Sequence, residues 1–347
     1  MRIVQVAPLE ESVPPKKYGG TELVIHNVTE ELVKKGHEVY LLGAGDSETS
    51  AHLIPILPQS LRKMYSPEEI DTWRDFLKIF HISTILKTIR DLKPDIVHNH
   101  YAWRLIQFLD FIDCPVYSTM HGPLTKIQER YVYQQYPEAN YISISNNQRK
   151  ALPELNWVKT IYNGIEVEKF ELGTGQRDYF VFLGRTTPDK GLKEIIHMIK
   201  KTSHQLKIAA KVDTTDQAYF EQEIKPFIDG QQIEFLGEVD HAGKVALLKK
   251  AKALLLWLNW EEPFGLVVTE AMACGTPVIV NRRGSMPELI IEGQTGFLVN
   301  TIEEMAAQLD NTDRVSPQDC RAHVEANFSA AKMADEYLEL AGKLTGS

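Results

Sequence analysis

Short apolar runs alternate with amphipathic segments of helical length along nearly the whole chain, in two successive sets. Such runs are typical of buried strands, and strands separated by helices form parallel sheets. The strands are predicted at residues 3–6, 39–42, 95–97, 116–119 and 141–144, then at 179–183, 206–210, 233–235, 253–257 and 277–280. The helices are predicted at residues 21–35, 192–201, 219–227, 243–250, 265–273 and 330–344. The pattern predicts an α/β protein with two parallel, helix-covered sheets.

The length of 347 residues is about twice that of a typical single domain, which agrees with two sheets. We expect the boundary within residues 163–178, a segment with three glycines, several charges and no periodic pattern. The first domain is predicted over residues 1–165 and the second over residues 178–327. A last helix, at about residues 330–345, follows a complete second set and should pack back across the first domain. Because open parallel sheets bind ligands at their carboxyl edges, two facing domains would hold a ligand in the cleft between them.

Charge and composition narrow the possible partners and the compartment. A net charge of −9 argues against nucleic-acid binding. The pairs Lys16-Lys17 and Arg62-Lys63 leave room for peripheral contact with an anionic membrane, although such small patches are usually solvated surface.

No apolar stretch reaches the about 18 residues of a transmembrane helix, and the apolar run at the N-terminus is too short for a signal peptide. Three cysteines, far apart in the sequence, indicate reduced thiols: Cys114, Cys274 and Cys320. We therefore expect a cytoplasmic protein.

The most informative residues lie at a polar corner between a predicted strand and a predicted helix. Glu262 stands just before the helix start at Phe264-Gly265-Leu266, and Glu270 lies two turns inside the helix. Backbone N–H groups at a helix start can bind an anion, helped by the helix dipole. Because a carboxylate accepts hydrogen bonds from vicinal hydroxyls, Glu270 suits a ribose and Glu262 suits a sugar ring. The spacing alone is equally compatible with an ordinary βαβ unit that carries solvated glutamates.

The segment from Glu262 to Glu270 also resembles a known family signature. Its Glu-x7-Glu spacing, with Pro-Phe-Gly-Leu between the glutamates and Ala-Met-Ala-Cys-Gly-Thr-Pro-Val after them, resembles the family-4 retaining glycosyltransferases of GT-B fold. Further segments match in the right order: Gly19-Gly20, Asn163-Gly164-Ile165, Gly184-Arg185 with Lys190-Gly191, and residues 284–290 and 293–297. The resemblance runs nearly end to end. It implies two Rossmann-like domains facing across a cleft, retention of anomeric configuration, and no metal or other cofactor.

The resemblance assigns the nucleoside diphosphate sugar donor to the second domain. Arg185 and Lys190 would clamp the phosphates of the leaving nucleoside diphosphate, and their charge would do the work of a metal ion. The residues implied in donor binding are Gly19, Gly20, Arg185, Lys190, Glu262, Phe264, Gly265, Leu266 and Glu270. A uridine diphosphate sugar is the first expectation and a guanosine diphosphate sugar the second, while the acceptor is not identified. No Asp-x-Asp occurs in the chain, which argues against the metal-dependent glycosyltransferase architecture.

In the first domain, Gly19 and Gly20 precede the first helix, where glycine permits close approach of a diphosphate to the backbone. They form no dinucleotide fingerprint, because no Gly-x-Gly-x-x-Gly follows the first strand. In the second domain, the run from Gly237 to Gly243-Lys244 has five intervening residues and no following Ser or Thr, so it is not a phosphate loop either. His121, at the end of a strand, is assigned by the resemblance to the transferred sugar or the acceptor.

Two other groups of residues receive less specific expectations. His98 and His100 alternate on a strand and share one side, but no third ligand accompanies them, so we expect a cleft-edge loop near the acceptor and not a metal site. The aromatic-rich segments 73–80 and 101–108 are expected to be amphipathic core helices. An acceptor wall or a membrane-facing surface is the alternative for these segments.

The sequence thus predicts a metal-independent, retaining transferase that moves a hexosyl unit from a nucleoside diphosphate sugar to an acceptor hydroxyl. The residues expected to carry catalysis are His121, Glu262, Arg185 and Lys190. A nucleotide-sugar epimerase of related architecture and a catalytically silent nucleotide-sugar-binding protein remain alternatives. An α-glucan phosphorylase is disfavoured, because those enzymes carry pyridoxal phosphate on a much longer chain.

Overall fold

The computed structural model of the chain describes residues 1–16 and 19–346 and divides into two compact units. Unit 1 comprises Met1–Gly164 and Ala330–Ser347, and unit 2 comprises Ile165–Ser329. The boundary falls between Gly164 and Ile165, within the segment 163–178 where it is expected, and residues 166–177, which lie between the two predicted domains, belong to unit 2. The Ile165 N–H donates to the Phe328 carbonyl at 2.9 Å, and the Gly173 N–H donates to the Cys274 carbonyl at 3.0 Å. These backbone hydrogen bonds anchor a segment that has no hydrophobic periodicity to reveal its attachment.

Unit 1 is built on a seven-stranded parallel sheet in the order β3-β2-β1-β4-β5-β6-β7. Its strands are β1 (Arg2–Val6), β2 (Glu38–Ala44), β3 (His52–Leu57), β4 (Ile96–Asn99), β5 (Val116–Met120), β6 (Asn140–Ser143) and β7 (Trp157–Thr160). Its helices are α1 (Gly20–Lys34), α2 (Leu61–Met64), α3 (Pro67–Phe80), α4 (Ile82–Leu92), α5 (Trp103–Ile106), α6 (Ile127–Gln135), α7 (Asn146–Arg149) and, at the chain end, α15 (Ala330–Thr345). The strand order reverses between the neighbours β1 and β4.

Unit 2 repeats the arrangement with a six-stranded parallel sheet in the order β10-β9-β8-β11-β12-β13. Its strands are β8 (Tyr179–Arg185), β9 (Leu206–Lys211), β10 (Ile233–Gly237), β11 (Ala251–Leu256), β12 (Val278–Asn281) and β13 (Gly296–Val299). Its helices are α8 (Leu192–Ile199), α9 (Gln217–Tyr219), α10 (His241–Lys250), α11 (Leu266–Ala273), α12 (Met286–Leu289), α13 (Ile302–Gln308) and α14 (Pro317–Asn327). Here the order reverses between the neighbours β8 and β11, so each sheet has the switch point at which open α/β sheets bind ligands.

Helix α1 illustrates how the hydrophobic pattern sets an element. Val24, Val28 and Leu32 recur every four residues and are buried on one face. The helix begins at Gly20, with Gly19 as its N-cap, one residue before the predicted start at residue 21. It ends before Gly36, whose φ of 84° suits glycine and stops the helix where the sequence predicts.

The strands that sequence analysis missed are all at sheet edges. Strands β3 and β7 close the two sides of the first sheet, and β13 closes one side of the second. Every residue of β7 is only partly buried, and β3 contains Pro55, which cannot donate to a neighbouring strand. Strands β3 and β7 therefore lack the continuous apolar run that marks a strand covered on both faces. Strand β13 is buried at all four positions, but its apolar run is only the three residues 297–299, so its sequence signal is also weak.

Helix α3 overturns the expectation that residues 73–80 form a core helix. Trp73, Phe76 and Phe80 are 53%, 58% and 64% exposed, and their rings contact one another at centroid distances of 5.9 and 5.7 Å. Because they are spaced by three and four residues, they lie on one face of the helix. The core is reached from another face, through Ile70, which is buried, and Leu77, which packs against the hydrophobic core of the unit.

The other aromatic segment and one predicted helix also differ from expectation. In residues 101–108, only Trp103–Ile106 are α-helical, while Tyr101 and Leu105 belong to the core. The helix predicted over residues 219–227 is divided into a π-helical turn at Phe220–Ile224 and a 3-10 turn at Lys225–Phe227. Pro226 explains the break, because proline has no N–H for an α-helical hydrogen bond.

No helix in the described part of the chain is long and apolar enough to span a bilayer. Of the cationic pairs considered for membrane contact, Lys17 lies outside the described residues. Arg62 is paired with Glu11 at 3.1 Å, and the Lys63 ammonium lies 3.8 Å from the Asp46 carboxylate.

The last helix, α15, completes the core of unit 1. Tyr337 is fully buried, and its hydroxyl is hydrogen-bonded to Thr119 Oγ1 of β5 at 2.9 Å. The Gly164 N–H approaches the Met333 sulfur at 3.1 Å, and Lys159 of β7 pairs with Glu339 at 2.7 Å. The helix is thus part of unit 1 through both apolar and polar contacts.

We predict that Tyr337→Ala lowers the free energy of unfolding by about 3–5 kcal/mol, the usual cost of truncating a buried aromatic ring. Tyr337→Phe should cost only about 1 kcal/mol, because it removes one hydrogen bond and keeps the ring. Urea unfolding monitored by circular dichroism measures both. Lys343→Ala, at a largely exposed position of the same helix, is the control and should stay within about 0.5 kcal/mol of wild type. Equal losses for the alanine and phenylalanine variants would contradict the packing role.

Candidate active site

The candidate site of unit 2 lies where two loops meet at the carboxyl ends of the central strands β8 and β11. Asn259, after β11, donates from its backbone N–H to the Asp189 carbonyl at 2.8 Å and from its side chain to the Pro188 carbonyl at 2.9 Å. Gly191 makes the approach possible, since a Cβ there would lie 1.8 Å from the Trp257 carbonyl oxygen and its φ is 63°. The loops that carry Lys190 and Glu262 are therefore held against each other.

Lys190 and Glu262 form an ion pair at this junction. The ammonium donates to Glu262 Oε2, and each side chain is only 13% exposed. The Lys190 ammonium also lies 4.7 Å from the centroid of the Trp260 ring, within the range of a cation–π interaction. Two predicted catalytic residues, separated by 72 positions in the chain, are thus in direct contact.

A third loop fixes the backbone around Glu262. The Ser285 N–H donates to the Glu262 carbonyl at 3.0 Å, and the Ser285 hydroxyl donates to the Phe264 carbonyl at 2.6 Å. Gly284 has a φ of 60°, and a Cβ there would lie 2.5 Å from the Glu262 nitrogen, so only glycine fits. Segment 284–286 therefore acts as a support for the Glu262 loop.

Helix α11 begins directly after this support, with Gly265 as its N-cap at a φ of 92°. The Phe264 side chain is buried and packs against Phe328 at a ring distance of 6.0 Å, so it contributes backbone and not side chain to any ligand site. Leu266 opens the helix, whose first N–H groups have no partner within the helix. An anion at this end would also interact favourably with the helix dipole.

Glu270 lies further along α11 and is 5% exposed. Its Oε1 accepts a hydrogen bond from the Lys244 ammonium of α10 at 2.5 Å. Both glutamates of the Glu-x7-Glu segment are therefore paired with a lysine that comes from another loop or helix of the same unit.

Arg185, at the end of β8, is held less firmly. Its Nη1 lies 3.8 Å from Asp213, beyond hydrogen-bond distance, and the second Asp213 oxygen accepts from Lys211 at 2.8 Å. Its buried Nε has no hydrogen-bond partner among the described residues. A guanidinium carries five N–H donors, so Arg185 retains donors for an anionic ligand.

In unit 1, the predicted glycines lie where α1 begins after the loop that follows β1. Gly19 is the N-cap, and a Cβ there would lie 2.7 Å from Pro15 Cβ. Glu22, in the first turn, is buried, and burial raises the pKa of its carboxyl group. Both glycines are thus at the β1 side of the switch point, although no ligand contact is assigned to them by the geometry alone.

His121 belongs to a cluster of three histidines beside that switch point. Its Nε2 is 2.9 Å from His100 Nδ1, and His100 Nε2 is 2.7 Å from Gln5 Oε1. The His98 ring stacks on His100 at 3.7 Å, and its Nε2 is 2.7 Å from Thr119 Oγ1. His98 and His100 do share one side, as the strand alternation predicts. Both are buried, so the expectation of a cleft-edge loop is wrong: His98 lies within β4, and His100 directly follows it.

The cluster is held in a neutral state by burial. Desolvation lowers the pKa of His121 to about 4 and lowers the pKa of His98 and His100 well below the usual value. Among residues 1–16 and 19–346, no three His, Cys, Asp or Glu side chains come together in a way that could hold a metal ion. The three rings instead form a cluster joined by hydrogen bonds and ring contacts, in which His98 and His100 are buried and His121 is partly buried.

Comparison with known proteins shows which family this architecture belongs to. The family model described as glycosyl transferases group 1 matches residues 165–314, and that of Glycosyltransferase Family 4 matches residues 18–169. The chain belongs to the family-4 glycosyltransferases of GT-B fold. It is 26% identical to the glycogen synthase of Mycobacterium tuberculosis over 342 residues, which cover 85% of this chain and 81% of that protein.

Solved structures share the fold of this glycosyltransferase at low sequence identity. Sucrose-phosphate synthase from Thermosynechococcus elongatus is 19% identical, with a TM-score of 0.79 and coverage of 99% of both chains. Anabaena Alr3699/HepE, solved in complex with UDP, is 17% identical, with a TM-score of 0.77 and coverage of 99% of this chain and 100% of that one. At these identities the structures establish the common fold.

Several residues of the glycosyltransferase site were missed by sequence reasoning. Lys244 looked like the end of a failed phosphate loop, and Trp260 and Asn259 looked like parts of a polar corner. Their partners lie on other loops, so no local spacing reveals them. Gly284 and Ser285 were noted within a matching segment, but only the structure shows that they support Glu262.

We predict that the histidine cluster makes the protein less stable as the pH falls from 6.5 towards 4. In this window the unfolded chain takes up protons that the folded His98, His100 and His121 do not, so each histidine can lower the free energy of unfolding by up to about 1.4 kcal/mol per pH unit. Urea unfolding at pH 7.5, 6.0 and 5.0 measures the slope. His121→Gln should reduce it, because one ring no longer titrates. A wild-type stability that stays constant between pH 6.5 and 5 would contradict the prediction.

Proposed function

We propose that this glycosyltransferase moves a hexosyl unit from a nucleoside diphosphate sugar, with uridine as the first choice of base, to an acceptor hydroxyl, with retention and without a metal. The observation that carries the proposal is the contact between Lys190 and Glu262. In such a donor the anomeric carbon is bonded directly to a phosphate oxygen. A cation for the phosphate and a carboxylate for the sugar hydroxyls must therefore be neighbours, as these two side chains are.

The number of N–H donors on the Lys190 ammonium supports a role for Lys190 at both the phosphate and Glu262. Lys190 has three N–H donors, so it can keep its bond to Glu262 while donating to a phosphate oxygen. Trp260, beneath the ammonium, limits the directions in which the side chain can turn. In this arrangement Lys190 orients the carboxylate that binds the sugar and at the same time neutralises the phosphate to which the sugar is attached.

The remaining donor contacts follow the direction of α11. The diphosphate would lie at the helix start, against the backbone N–H groups of Phe264, Gly265 and Leu266, with Arg185 adding its free donors. Glu270 is five residues past Gly265, or roughly 7.5 Å along the helix at about 1.5 Å per residue. The two glutamates can therefore serve opposite ends of one extended ligand, with the ribose at Glu270.

Anabaena Alr3699/HepE, of the same fold, was solved with UDP, which favours uridine as the base.

We assign the acceptor side of the reaction to unit 1. His121 follows β5, and Gly19 and Gly20 precede α1, so all three are near the carboxyl ends of strands, where open parallel sheets bind ligands. His121 would contact the transferred sugar or the acceptor, and the two glycines would allow close approach of the diphosphate. Because its low pKa keeps His121 neutral at physiological pH, the ring would act as a hydrogen-bonding group and not as a cation.

The reaction proposed is a same-face displacement. The bond between the anomeric carbon and the phosphate oxygen breaks, the acceptor oxygen forms a new bond on the same face, and the acceptor proton passes to the leaving diphosphate. Lys190 and Arg185 would stabilise the negative charge that grows on the phosphate, while Glu262 holds the sugar ring. The protein contributes fixed charges and positioning and no covalent nucleophile.

The proposed function is tested by incubating the protein with UDP-, GDP- and ADP-hexoses, with and without a panel of acceptors. We expect glycosyl transfer that persists in excess chelator and products that keep the donor configuration by NMR. Conversion of the donor in the absence of an acceptor would indicate an epimerase, and nucleotide binding without turnover would indicate a silent binding protein. Activity that disappears with chelator and returns with manganese would reject the role of the two cations.

The second test separates the two members of the ion pair. Lys190→Ala should lower kcat more steeply than donor affinity, by about 3–4 kcal/mol of barrier, because phosphate charge grows in the transition state. Glu262→Gln should lower turnover and leave the affinity for the bare nucleoside diphosphate unchanged. Steady-state and single-turnover kinetics, with calorimetry for the diphosphate, provide the measurements.

A nearby lysine supplies the control for these variants. Lys193 lies on α8 and pairs with Glu223 at 2.6 Å on the protein surface, so Lys193→Ala should leave the kinetics unchanged. If Lys190→Ala weakens donor binding but not turnover, Lys190 only anchors the donor. If Glu262→Gln abolishes binding of the bare nucleoside diphosphate, then Glu262 contacts the nucleotide and not the sugar, and the proposed orientation of the donor is reversed.

A further inference from the structure

The Glu270 carboxylate is buried away from water. Its side chain is 6% exposed, and its Oε1 is 2.5 Å from the Lys244 ammonium. Removing a carboxylate from water costs several kcal/mol unless a partner compensates for it, and a pair that loses one partner leaves the other charge uncompensated. Loss of Lys244 would therefore leave the buried Glu270 carboxylate without its ion-pair partner.

Lys244 is itself held in place by its surroundings. It lies in the first turns of α10, whose N-cap Asp240 accepts a hydrogen bond from the Gly243 N–H at 2.8 Å. Its ammonium is 5.6 Å from the centroid of the Phe170 ring. Phe170 is fixed in turn by an edge contact with His241 at 5.0 Å, and its carbonyl accepts a hydrogen bond from Arg321.

We propose that Lys244 is a specificity-determining residue for the ribose of the donor, an inference that rests on the proposed function because it takes Glu270 as the ribose ligand. The bond from Lys244 occupies Oε1 and fixes the rotation of the carboxylate. The second oxygen, Oε2, is then available to accept from the vicinal ribose hydroxyls. Because a hydrogen bond to a carboxylate depends on the orientation of that group, loss of Lys244 should weaken recognition of the ribose and leave recognition of the phosphates intact.

This role differs from a phosphate contact, although Lys244 is a cation in a nucleotide site. Its partner is the carboxylate assigned to the ribose, on the part of α11 that lies past the first turn, whereas the diphosphate is assigned to the helix start. Lys190 and Lys244 would then have separate tasks, one at each glutamate. The two roles can be distinguished experimentally. If Lys244 positions the ribose ligand, its substitution should not affect a ligand that lacks the 2′-hydroxyl. If Lys244 binds a phosphate, its substitution should weaken every ligand that carries the diphosphate.

The test compares nucleoside diphosphates with and without the 2′-hydroxyl. The affinities of UDP, GDP and ADP, of their 2′-deoxy counterparts and of inorganic pyrophosphate are measured by calorimetry for the wild-type protein, Lys244→Met, Glu270→Ala and the double variant. We expect the wild type to prefer the ribose form of its nucleotide by roughly 10- to 100-fold. In Lys244→Met the preference should fall below about threefold, with pyrophosphate affinity unchanged. The double variant should be no worse than Glu270→Ala, because both substitutions remove the same interaction.

Lys249→Met is the matched control. Lys249 lies on the same helix and pairs at 2.6 Å with Glu171, whose side chain is 73% exposed, so its loss should leave the ribose preference at the wild-type value. Lys244→Arg should restore part of the preference, because a guanidinium can also donate to Glu270. Thermal unfolding of each variant identifies any loss of fold, and Lys244→Gln, which keeps a polar side chain and removes the charge, serves if the methionine variant is unstable.

The outcomes separate this inference from the proposed function. If none of the three nucleotides binds the wild type, or if the wild type does not distinguish ribose from deoxyribose, the assignment of Glu270 fails and this inference fails with it. If the wild type distinguishes them and Lys244→Met does so equally well, only the role of Lys244 is overturned. An equal loss of affinity for both nucleotide forms and for pyrophosphate would make Lys244 a phosphate ligand and would also overturn it.

Discussion

The candidate site of unit 2 depends on the pairing of buried carboxylates with lysines. Glu262 and Glu270 stand on either side of the start of α11, and each accepts a hydrogen bond from a lysine that another element provides. Because an unpaired buried charge is costly, these contacts constrain where the loop after β8 and helix α10 can lie. The same contacts leave carboxylate oxygens and ammonium hydrogens available for a ligand. If the proposed donor contacts are correct, one set of groups meets the requirements of both folding and ligand binding.

The sheets explain why so much of this could be predicted from the sequence. Parallel strands bring their carboxyl ends to one edge, so motifs that follow β8 and β11 must be neighbours once the strands are recognised as central. The central strands are strongly apolar, and their positions were predicted to within a few residues. Glycine requirements such as that of Gly284 agree with this picture, since the close approach of two loops permits no side chain there.

What could not be predicted depends on contacts between distant residues or on weak local signals. The bond between Lys190 and Glu262 spans 72 positions, and that between Lys244 and Glu270 spans 26, so neither has a spacing rule. Edge strands β3 and β7 lack the signal of strands buried on both faces, and β13 is buried but has an apolar run of only three residues. Helix α3 has the period of a core helix, but periodicity does not tell which apolar face meets the core, and Trp73, Phe76 and Phe80 are on the exposed one.

The return of α15 to unit 1 has a consequence for how the chain folds during synthesis. Unit 2 is one continuous segment, Ile165–Ser329, and every residue of its sheet has been made before the last helix exists. Unit 1 is interrupted by unit 2, and its core lacks Tyr337 until α15 has been synthesised. Since domains generally fold as they emerge from the ribosome, the order of completion should be reversed relative to the order of the sequence. The unit that is begun first is finished after unit 2, and the surface of α1 and β5 that α15 covers remains exposed until α15 has been synthesised.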